Sequence, residues 1–325
     1  PRAQAGLGLI AWLITPWYGP LASLPDDAHE LGQVAVDMPF AGATARVFAC
    51  ESEGVRCLLI HRPEYFDRAF PYGPPGEPYF DNPERFIFFS RAGLAAAAAF
   101  VQADLIHCHD WQTGLIPALA KYRAVPMDQV PACVATIHNL AFQGLCDASL
   151  FQSTGLPPEA FNLHEGEFHG QFNLLKAGLA ASQAMTTVSP TYSREIQTPA
   201  FSCGLEGFLQ ANAHKLSGIA NGIDTRAWTP GSDPHLPASY SFEDMGGKTA
   251  AKQDLVMISG LNKGLEKPLA GFVGRLTRQK GVDIIAESIP ALLDLGLNLV
   301  LLGRGDKDLE QGLIELAQAH SGQLK

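Results

Sequence analysis

The chain has 325 residues and a formal net charge of −10, with 46% hydrophobic and 17% charged residues. This composition is typical of a soluble globular protein of about two domains. The acidic balance argues against a basic groove for nucleic acid, because phosphate contacts need clustered Lys and Arg. No run approaches the ~18 apolar residues that a membrane span needs. We therefore expect neither a nucleic-acid nor a membrane partner.

The cysteines show no C-x-x-C pair, which argues against a zinc knuckle and against a dithiol redox motif. They are Cys50, Cys57, Cys108, Cys133, Cys146 and Cys203. We interpret them as buried free thiols in a reducing compartment, and we expect a cytoplasmic protein.

The predicted elements begin close to the first residue. The apolar run in "PRAQAGLGLIAWLITPWYGP" ends in turn residues, which favours a strand at 11–15 over a signal peptide. We therefore expect the chain to begin inside a domain. Short β-rich runs then alternate with helical patterns, which is typical of βαβ units and a parallel sheet. Strands are predicted at 103–110, 131–139, 184–190 and 215–222, and helices at 112–122, 171–181 and 191–197.

A stretch rich in Pro, Gly, Ser and Asp, "TPGSDPHLPASYSFEDMGG" at 229–247, has the composition of a linker. It divides the chain into predicted domains at 1–235 and 236–325. The second domain is predicted to contain strands at 269–274 and 297–302 and helices at 279–295 and 307–319. Two βα units leave sheet edges unpaired, so we expect this domain to be incomplete.

The stretch "GFVGRLTRQKG" brings a strand end, Gly274 and two cations, Arg275 and Lys280, close together in the sequence. In open α/β sheets, ligands bind outside the carboxyl ends of strands and near helix N-termini. A guanidinium and an ammonium at this place suit a pyrophosphate. The alternative is a solvated loop, since Arg278 lies between the two cations.

Polar residues also follow two predicted strands of the first domain. In "LIHCHDWQTGL", alternation places His107 and His109 on one face of the strand, with Cys108 on the other. We expect no metal there, because no further ligand cluster lies nearby. Asp110 is a better candidate for binding a ligand hydroxyl or for capping a helix. The strand in "ATIHNLAFQG" ends similarly, in His138 and Asn139.

Two glycine-containing stretches carry weaker signals. Asn221 and Gly222 form an Asn-Gly turn signal, which is sufficient as a purely structural explanation. Gly303 and Gly305 in "LLGRGD" follow a strand and allow backbone N–H groups to approach a ligand. The full G-x-G-x-x-G is absent, which argues against a nicotinamide oxidoreductase.

Taken in this order, the stretches resemble those of bacterial glycogen synthases and plant starch synthases, over roughly residues 12 to 320. The stretches that carry the resemblance are "PWYGP", "YFDNPERFIFFSRA", "HCHDWQTGL", "TIHNLAFQG", "FNLLKAGL", "TTVSPTYSREI", "NGID", "GRLTRQKGVD" and "LLGRGD". The resemblance implies an α/β protein of GT-B architecture, with two Rossmann-like parallel-sheet domains facing a cleft. It also implies transfer of glucose from ADP-glucose to the non-reducing end of an α-1,4-glucan, with retention and without a metal or other cofactor.

The resemblance also assigns roles to residues. By it, Arg275 and Lys280 hold the diphosphate of the sugar nucleotide, while His138 and Asp110 lie at the transferred glucosyl unit. The residues expected to line the donor site are Asn139, Asn221, Gly274, Gly303 and Gly305. Tyr72 and Trp111 are guesses for sugar contacts.

The sequence departs from the family pattern in two places. The K-x-G-G loop that opens family members would lie before Pro1, and the E-x7-E element of their second domain is absent. The one pair with that spacing, Glu159 and Glu167, lies in the first domain and is interpreted as chance. We therefore expect this 325-residue polypeptide to transfer little or no glucose. The choice between ADP-glucose and UDP-glucose stays open, as does the oligomeric state.

Two other functions remain as alternatives. Another GT-B transferase, directed at sucrose or a glycolipid, would share the "GR…K" and "G-x-G-D" pieces but lack "TIHNLAFQG" and "HDWQTGL". A non-catalytic, glucan-binding relic would bind glucan without transferring glucose or hydrolysing the donor.

Overall fold

The computed structural model describes residues 1–21, 23–38, 43–74, 76–261 and 266–325. Contacts divide the chain into two compact units, Pro1–Asn221 and Gly222–Lys325. The domain division at 235 falls 14 residues later, inside the second unit, and stays a prediction about domains.

The first unit contains eleven strands and seven helices of the α type within the described residues. The strands are β1 (Trp12–Pro16), β2 (His29–Val36), β3 (Ala43–Ser52), β4 (Val55–His61), β5 (Leu105–His109), β6 (Ala132–Ile137), β7 (Leu145–Cys146), β8 (Glu167–Phe168), β9 (Gln171–Asn173), β10 (Ala184–Thr187) and β11 (Leu216–Gly218). The helices are α1 (Arg2–Gly6), α2 (Pro63–Phe66), α3 (Asn82–Ala96), α4 (Ile116–Lys121), α5 (Leu174–Ala181), α6 (Pro190–Glu195) and α7 (Glu206–Ala211).

The second unit contains two strands and three helices in the part of it that is described. They are α8 (Gly246–Ile258), β12 (Leu269–Val273), α9 (Val282–Asp294), β13 (Asn298–Leu302) and α10 (Lys307–Ala319).

A mixed four-stranded sheet of order β1-β4-β3-β2 opens the first unit. Strand β1 confirms the strand predicted at 11–15 and runs parallel to β4, whereas β2, β3 and β4 form antiparallel pairs. The turn between β3 and β4 places Glu53 and Gly54 at φ of 52° and 76°. Both values lie in the left-handed region that a two-residue type I′ hairpin requires.

The second sheet of this unit is parallel throughout, with the order β11-β10-β6-β5. Its strands and the helices between them confirm the βαβ alternation predicted from the sequence. The carboxyl ends of β5 and β6 are neighbours, because the register pairs His109 with Thr136. Side chains that follow these two strands are therefore close together.

The α3 helix carries much of the first core. Its run of Phe86, Ile87, Phe88 and Phe89 is buried on all sides, at 3% exposure or less. A helix with apolar residues all round needs neighbours on every face. Here those neighbours come from β1 to β4, from α4 and from the 3₁₀ helix Ala148–Thr154.

The second unit is built around the parallel pair β12 and β13, whose register runs from Leu269 opposite Asn298 to Val273 opposite Leu302. All four elements predicted there are confirmed, and α10 has the predicted bounds. Helices α9 and α10 contribute Val282, Ile289, Leu293 and Leu313 to a separate small core.

Two expectations need correction. Part of the stretch interpreted as linker begins a helix, since α8 starts at Gly246, whose N–H donates to Asp244 Oδ1 at 2.9 Å. The six cysteines are all free, but Cys203 is exposed and the other five are buried. Cys203 lies in a turn at φ 51° before α7, where its side chain is not covered.

A search of the described residues finds no helix that is both long and apolar enough to cross a membrane.

Candidate active-site residues in the two units

Asp110 ties together the ends of two strands in the first unit. It follows β5 at φ 55°, a left-handed conformation that is uncommon for a residue other than glycine and that clusters at functional sites. Its backbone N–H donates to Thr136 O at 2.9 Å. Its Oδ1 accepts the backbone N–H groups of His138 at 2.7 Å and Asn139 at 3.4 Å. One carboxylate oxygen therefore holds the turn that follows β6.

Three histidine rings form a cluster beside this turn. As the alternation of β5 predicted, Cys108 is 1% exposed on one face, while the rings of His107 and His109 stack on the other with centroids 4.4 Å apart. The rings of His109 and His138 share a hydrogen bond, with Nδ1 and Nε2 3.0 Å apart. Nε2 of His107 lies 2.6 Å from Thr136 Oγ1.

The surroundings of His107 and His109 favour the neutral form of these two imidazoles. Desolvation by the surrounding atoms lowers the pKa of His109 to about 4, and the neighbouring rings of His107 and His138 act in the same direction. Desolvation also lowers the pKa of His107, with a smaller contribution from His138. His109 is therefore uncharged at neutral pH.

The other polar candidate near Asp110 is Tyr72. Desolvation raises the pKa of the Tyr72 hydroxyl, the charge of Asp110 raises it further, and Arg85 opposes both. Tyr72 is thus protonated at neutral pH and lies within electrostatic range of the Asp110 carboxylate. The side-chain Oδ1 of Asn139 accepts the backbone N–H of Ala141 at 3.1 Å.

Trp111 is half-buried rather than free on the surface. Its ring packs edge-on against Phe86 with centroids 5.0 Å apart, and Phe86 in turn contacts Tyr72 at 5.8 Å. Gly144 makes room for the indole, since a Cβ there would lie 2.5 Å from Trp111 Cε3. Packing therefore explains the position of Trp111, and its contact with sugar stays a prediction.

Sequence reasoning missed Arg85, which fixes the segment that contains Tyr72. This arginine is 0% exposed, and its guanidinium donates to Tyr65 O at 2.7 Å, Pro71 O at 3.2 Å and Asn82 Oδ1 at 2.5 Å. The available signal was a single cation inside the otherwise apolar part of "NPERFIFF", because a fully buried charge must find fixed partners.

The second unit presents three cations after β12, and one of them is neutralised. Arg278 donates to Asp283 at 3.2 Å. Arg275 and Lys280 are exposed, and within the described residues neither side chain has an ion-pair or hydrogen-bond partner. Lys280 ends a 3₁₀ turn, and Gly281 at φ 70° leads directly into α9. Both cations thus lie between the carboxyl end of a strand and the amino end of a helix.

The three candidate glycines of this unit, Gly274, Gly303 and Gly305, lie where its two loops touch. A Cβ on Gly303 would be 1.9 Å from Gly274 O, and one on Gly305 would be 2.1 Å from Leu276 O. Glycine is therefore required at both positions for the backbones to approach. The N–H of Gly305 donates to Glu310 Oε1 at 2.6 Å, a partner that the sequence did not predict. Donor binding by these glycines stays a prediction.

The structure thus brings together Asp110, His138, Asn139 and Tyr72 in the first unit, and Arg275, Lys280 and the three glycines in the second. Asn221 is exposed after β11 as the last residue of the first unit. In the described part of the chain, no three His, Cys, Asp or Glu side chains are grouped in a way that could hold a metal ion.

Comparisons with known proteins decide the family. Residues 1–211 match the model of the starch synthase catalytic domain. A glycogen synthase of Alkalilimnicola ehrlichii is 46% identical over 278 residues, which is 83% of this chain and 57% of that protein. A glycogen synthase of Rhodopseudomonas palustris is 42% identical over 100% of this chain and 67% of that protein.

The chain belongs to the glycogen synthase and starch synthase family. This confirms the resemblance stated from the sequence, and the family is one of glycosyltransferases. The chain spans between about half and two thirds of the length of these two glycogen synthases, at 57% and 67%.

A solved structure of this family confirms the fold class. The catalytic domain of starch synthase IV from Arabidopsis thaliana, solved with ADP and acarbose bound, superposes with a TM-score of 0.90 at 30% identity. The match covers 100% of this chain and 68% of that one. The chain therefore has an α/β fold of the GT-B type.

Proposed function

We propose that the complete gene product acts as a glycogen synthase in the cytoplasm, and that the 325-residue polypeptide by itself transfers little or no glucose. The complete gene product transfers glucose from a sugar nucleotide, ADP-glucose, to the non-reducing end of an α-1,4-glucan, with retention and without a metal or other cofactor. Membership of the family supports this proposal, as do relatives named glycogen synthase and a related starch synthase that was bound to ADP and acarbose.

The observation that carries the proposal is the pair of exposed cations, Arg275 and Lys280, which have no ion-pair or hydrogen-bond partner among the described residues. When the bond between the sugar and the diphosphate breaks, negative charge builds up on the leaving phosphate. Cations already in place stabilise that charge most strongly in the transition state, so they accelerate the reaction rather than merely bind the donor. Arg278 contributes less in this proposal, because Asp283 already neutralises it.

The residues of the first unit hold the transferred sugar in this proposal. His138 contacts the glucosyl unit near the anomeric carbon, and Asp110 contacts the same sugar while it holds the turn that carries His138. The residues proposed to line the rest of the donor site are Asn139, Asn221, Gly274, Gly303 and Gly305, with Tyr72 and Trp111 as further sugar contacts. Transfer proceeds on one face of the sugar, and the leaving phosphate helps to deprotonate the acceptor hydroxyl.

The test compares Arg275→Ala with Arg278→Ala in the complete gene product, which provides a matched arginine for control. Incorporation of radiolabelled glucose from ADP-glucose into glycogen is measured, with UDP-glucose run in parallel. We expect Arg275→Ala to lower kcat by about 10²- to 10³-fold, as loss of a donor that stabilises transition-state charge does. Arg278→Ala, which removes an exposed ion pair worth ~0–1 kcal/mol, should stay within about fivefold of wild type.

Equal losses in the two variants would contradict the role given to Arg275. Binding of glycogen without transfer or donor hydrolysis by the wild type would favour a glucan-binding protein instead. If glucose were transferred from UDP-glucose and not from ADP-glucose, the donor in this proposal would be UDP-glucose instead.

A further inference from the structure

His109 is exposed, lies next to a proposed active-site residue and has no role in the reaction described so far. We propose that His109 is a positioning residue, which fixes the orientation and the tautomer of the His138 imidazole. The inference rests on the proposed function, because it concerns how His138 presents itself to the sugar.

The His138 ring depends on His109 for its orientation. The backbone of His138 is held by Asp110, but this contact leaves the side chain free to rotate. Within the described residues, the ring makes one hydrogen bond, between its Nε2 and His109 Nδ1 at 3.0 Å. The ring planes are tilted by 38° with centroids 5.3 Å apart, so stacking does not hold the pair in place.

His109 is itself held firmly enough to act as a reference. Thr113 Oγ1 accepts the backbone N–H of His109 at 2.6 Å and donates to its carbonyl at 2.9 Å. The His107 ring stacks on the His109 ring at an interplanar angle of 29°.

His107 is fixed in turn by a chain of short contacts that crosses the sheet. Its Nε2 lies 2.6 Å from Thr136 Oγ1, and that oxygen lies 2.6 Å from Thr186 Oγ1. The support for His109 therefore extends over three adjacent strands, β5, β6 and β10, rather than through a loop.

The hydrogen bond between the two rings also determines a protonation pattern. A neutral imidazole has one nitrogen that donates and one that accepts. In the His109–His138 pair, one nitrogen must donate and the other must accept, so the role of His138 Nε2 is coupled to the tautomer of His109. The other nitrogen of His138, Nδ1, then takes the opposite role toward a ligand. A second hydrogen bond to an imidazole is a common means of selecting its tautomer.

Two substitutions separate this role from simple packing. Asn places an amide oxygen or nitrogen where His has Nδ1, so His109→Asn can keep the hydrogen bond to His138 Nε2. His109→Leu fills similar space but has no polar atom. His235, which is exposed in the second unit, supplies the controls His235→Asn and His235→Leu.

The first measurement does not depend on activity. ¹⁵N NMR of the imidazoles is recorded on the complete gene product at pH 7.5, with the His138 signals assigned by their loss in His138→Gln. We expect a single His138 tautomer in the wild type and in both His235 variants. We expect the two tautomers to be mixed in His109→Leu. A single, unchanged tautomer in His109→Leu would overturn the inference, even if activity were lost.

The second measurement is kinetic. We expect His109→Leu to lower kcat/KM about fivefold, the effect of one lost hydrogen bond, and His109→Asn to restore most of it. Equal loss in the Leu and Asn variants would show that packing alone is involved and would overturn the inference. If the wild type transfers no glucose, the proposed function fails, and the NMR measurement decides the inference by itself.

Discussion

At the scale of single residues, the candidate site residues after β5 and those after β12 differ in the contacts that hold them. One carboxylate oxygen of Asp110 accepts the backbone N–H groups of His138 and Asn139. The Asp110 carboxylate therefore holds the turn after β6 in place and is also a candidate sugar contact. Arg275 and Lys280 have no such partner in the part of the second unit that is described. The proposed anion site and the turn that follows β6 are therefore built in opposite ways, the first from exposed cations and the second from a carboxylate that already accepts backbone N–H groups.

The desolvated His109 predicts a pH dependence of stability. Its pKa is about 4 in the folded protein, against the ordinary value of 6.5 expected in the unfolded chain. Between these values the unfolded state binds more protons, so stability is fully present above pH 6.5 and falls as the pH drops toward 4. His109→Asn removes this titration. We expect the wild type to lose more thermal stability than His109→Asn between pH 7.5 and 5.0.

Differential scanning fluorimetry at the two pH values checks this, with His235→Asn as the control. Carboxylates that titrate in the same range affect all three proteins alike. The quantity to compare is therefore the change in melting temperature between pH 7.5 and 5.0 in each protein. An identical pH response of His109→Asn and wild type would show that the proton on His109 is not coupled to folding.

The convergence of Asp110 with His138 and Asn139 could be predicted from the sequence, because parallel strands bring their carboxyl ends to one edge. The involvement of His109 could not, because its contact with His138 depends on the rotamers of two side chains on neighbouring strands. Arg85 was missed for a similar reason, since two of its partners are the backbone carbonyls of Tyr65 and Pro71, and sequence patterns do not show which carbonyls a side chain will reach. The sequence pattern identifies which strands are followed by polar candidate residues. The contacts among those side chains depend on rotamers, which the pattern does not give.

At the scale of elements, the contact between α5 and the turn that precedes α4 depends on glycine. A Cβ on Gly178 in α5 would lie 1.7 Å from the carbonyl oxygen of Gly114, which is backbone that no rotamer change can move. Gly207 in α7 has no atom within 4 Å of its Cβ position. Gly178→Ala should therefore destabilise the first unit by about 1–3 kcal/mol, the usual cost of overpacking. Gly207→Ala should stabilise it by up to ~1 kcal/mol, because alanine is the better helix former.

Urea unfolding of the two variants beside wild type measures both effects. Both substitutions add the same methyl group to a helix, so the comparison isolates the contact with Gly114. If Gly178→Ala were as stable as Gly207→Ala, α5 and the backbone at Gly114 would not approach as closely as the structure shows.

The strands of the two parallel sheets were predicted from the βαβ alternation, whereas the β3–β4 hairpin and helix α8 were not. The β3–β4 hairpin turns at Glu53-Gly54, which lacks the Asn-Gly or Asp-Gly pair that signals such a turn. The α8 helix begins with two glycines, which lower helix propensity. Gly247 is needed there nonetheless, because its Cβ would lie 2.0 Å from Ser239 O.

At the scale of the whole molecule, the two units each have their own core, and the chain that leaves the first one is exposed. The core of the second unit centres on Val282, Ile289 and Leu313 and includes no residue of the first. Most of residues 219–229 are exposed and form neither helix nor strand. Stability in such a molecule is expected to be lowest where few apolar contacts and few backbone hydrogen bonds hold the chain.

This arrangement predicts where a protease cuts first. The Arg226 side chain is 81% exposed, and its nearest acidic partner, Asp224, is 3.8 Å away. Lys215, only 11 residues earlier, instead donates to the carbonyls of Ala180 and Ser182 at 3.2 Å and is held against the first unit. Brief trypsin treatment should therefore cleave after Arg226 and leave Lys215 intact, because local opening at Arg226 costs less free energy.

Mass spectrometry of the early fragments identifies the bond that is cut. Arg226→Gln should slow the first cleavage strongly, whereas Lys215→Gln should leave its rate unchanged. Fragments that begin at residue 227 and persist would show that the second unit folds on its own contacts, as its separate core indicates. Early cleavage at Lys215 with Arg226 intact would mean instead that β11 opens before the segment that follows it, and the boundary between the units would have to be moved toward the first sheet.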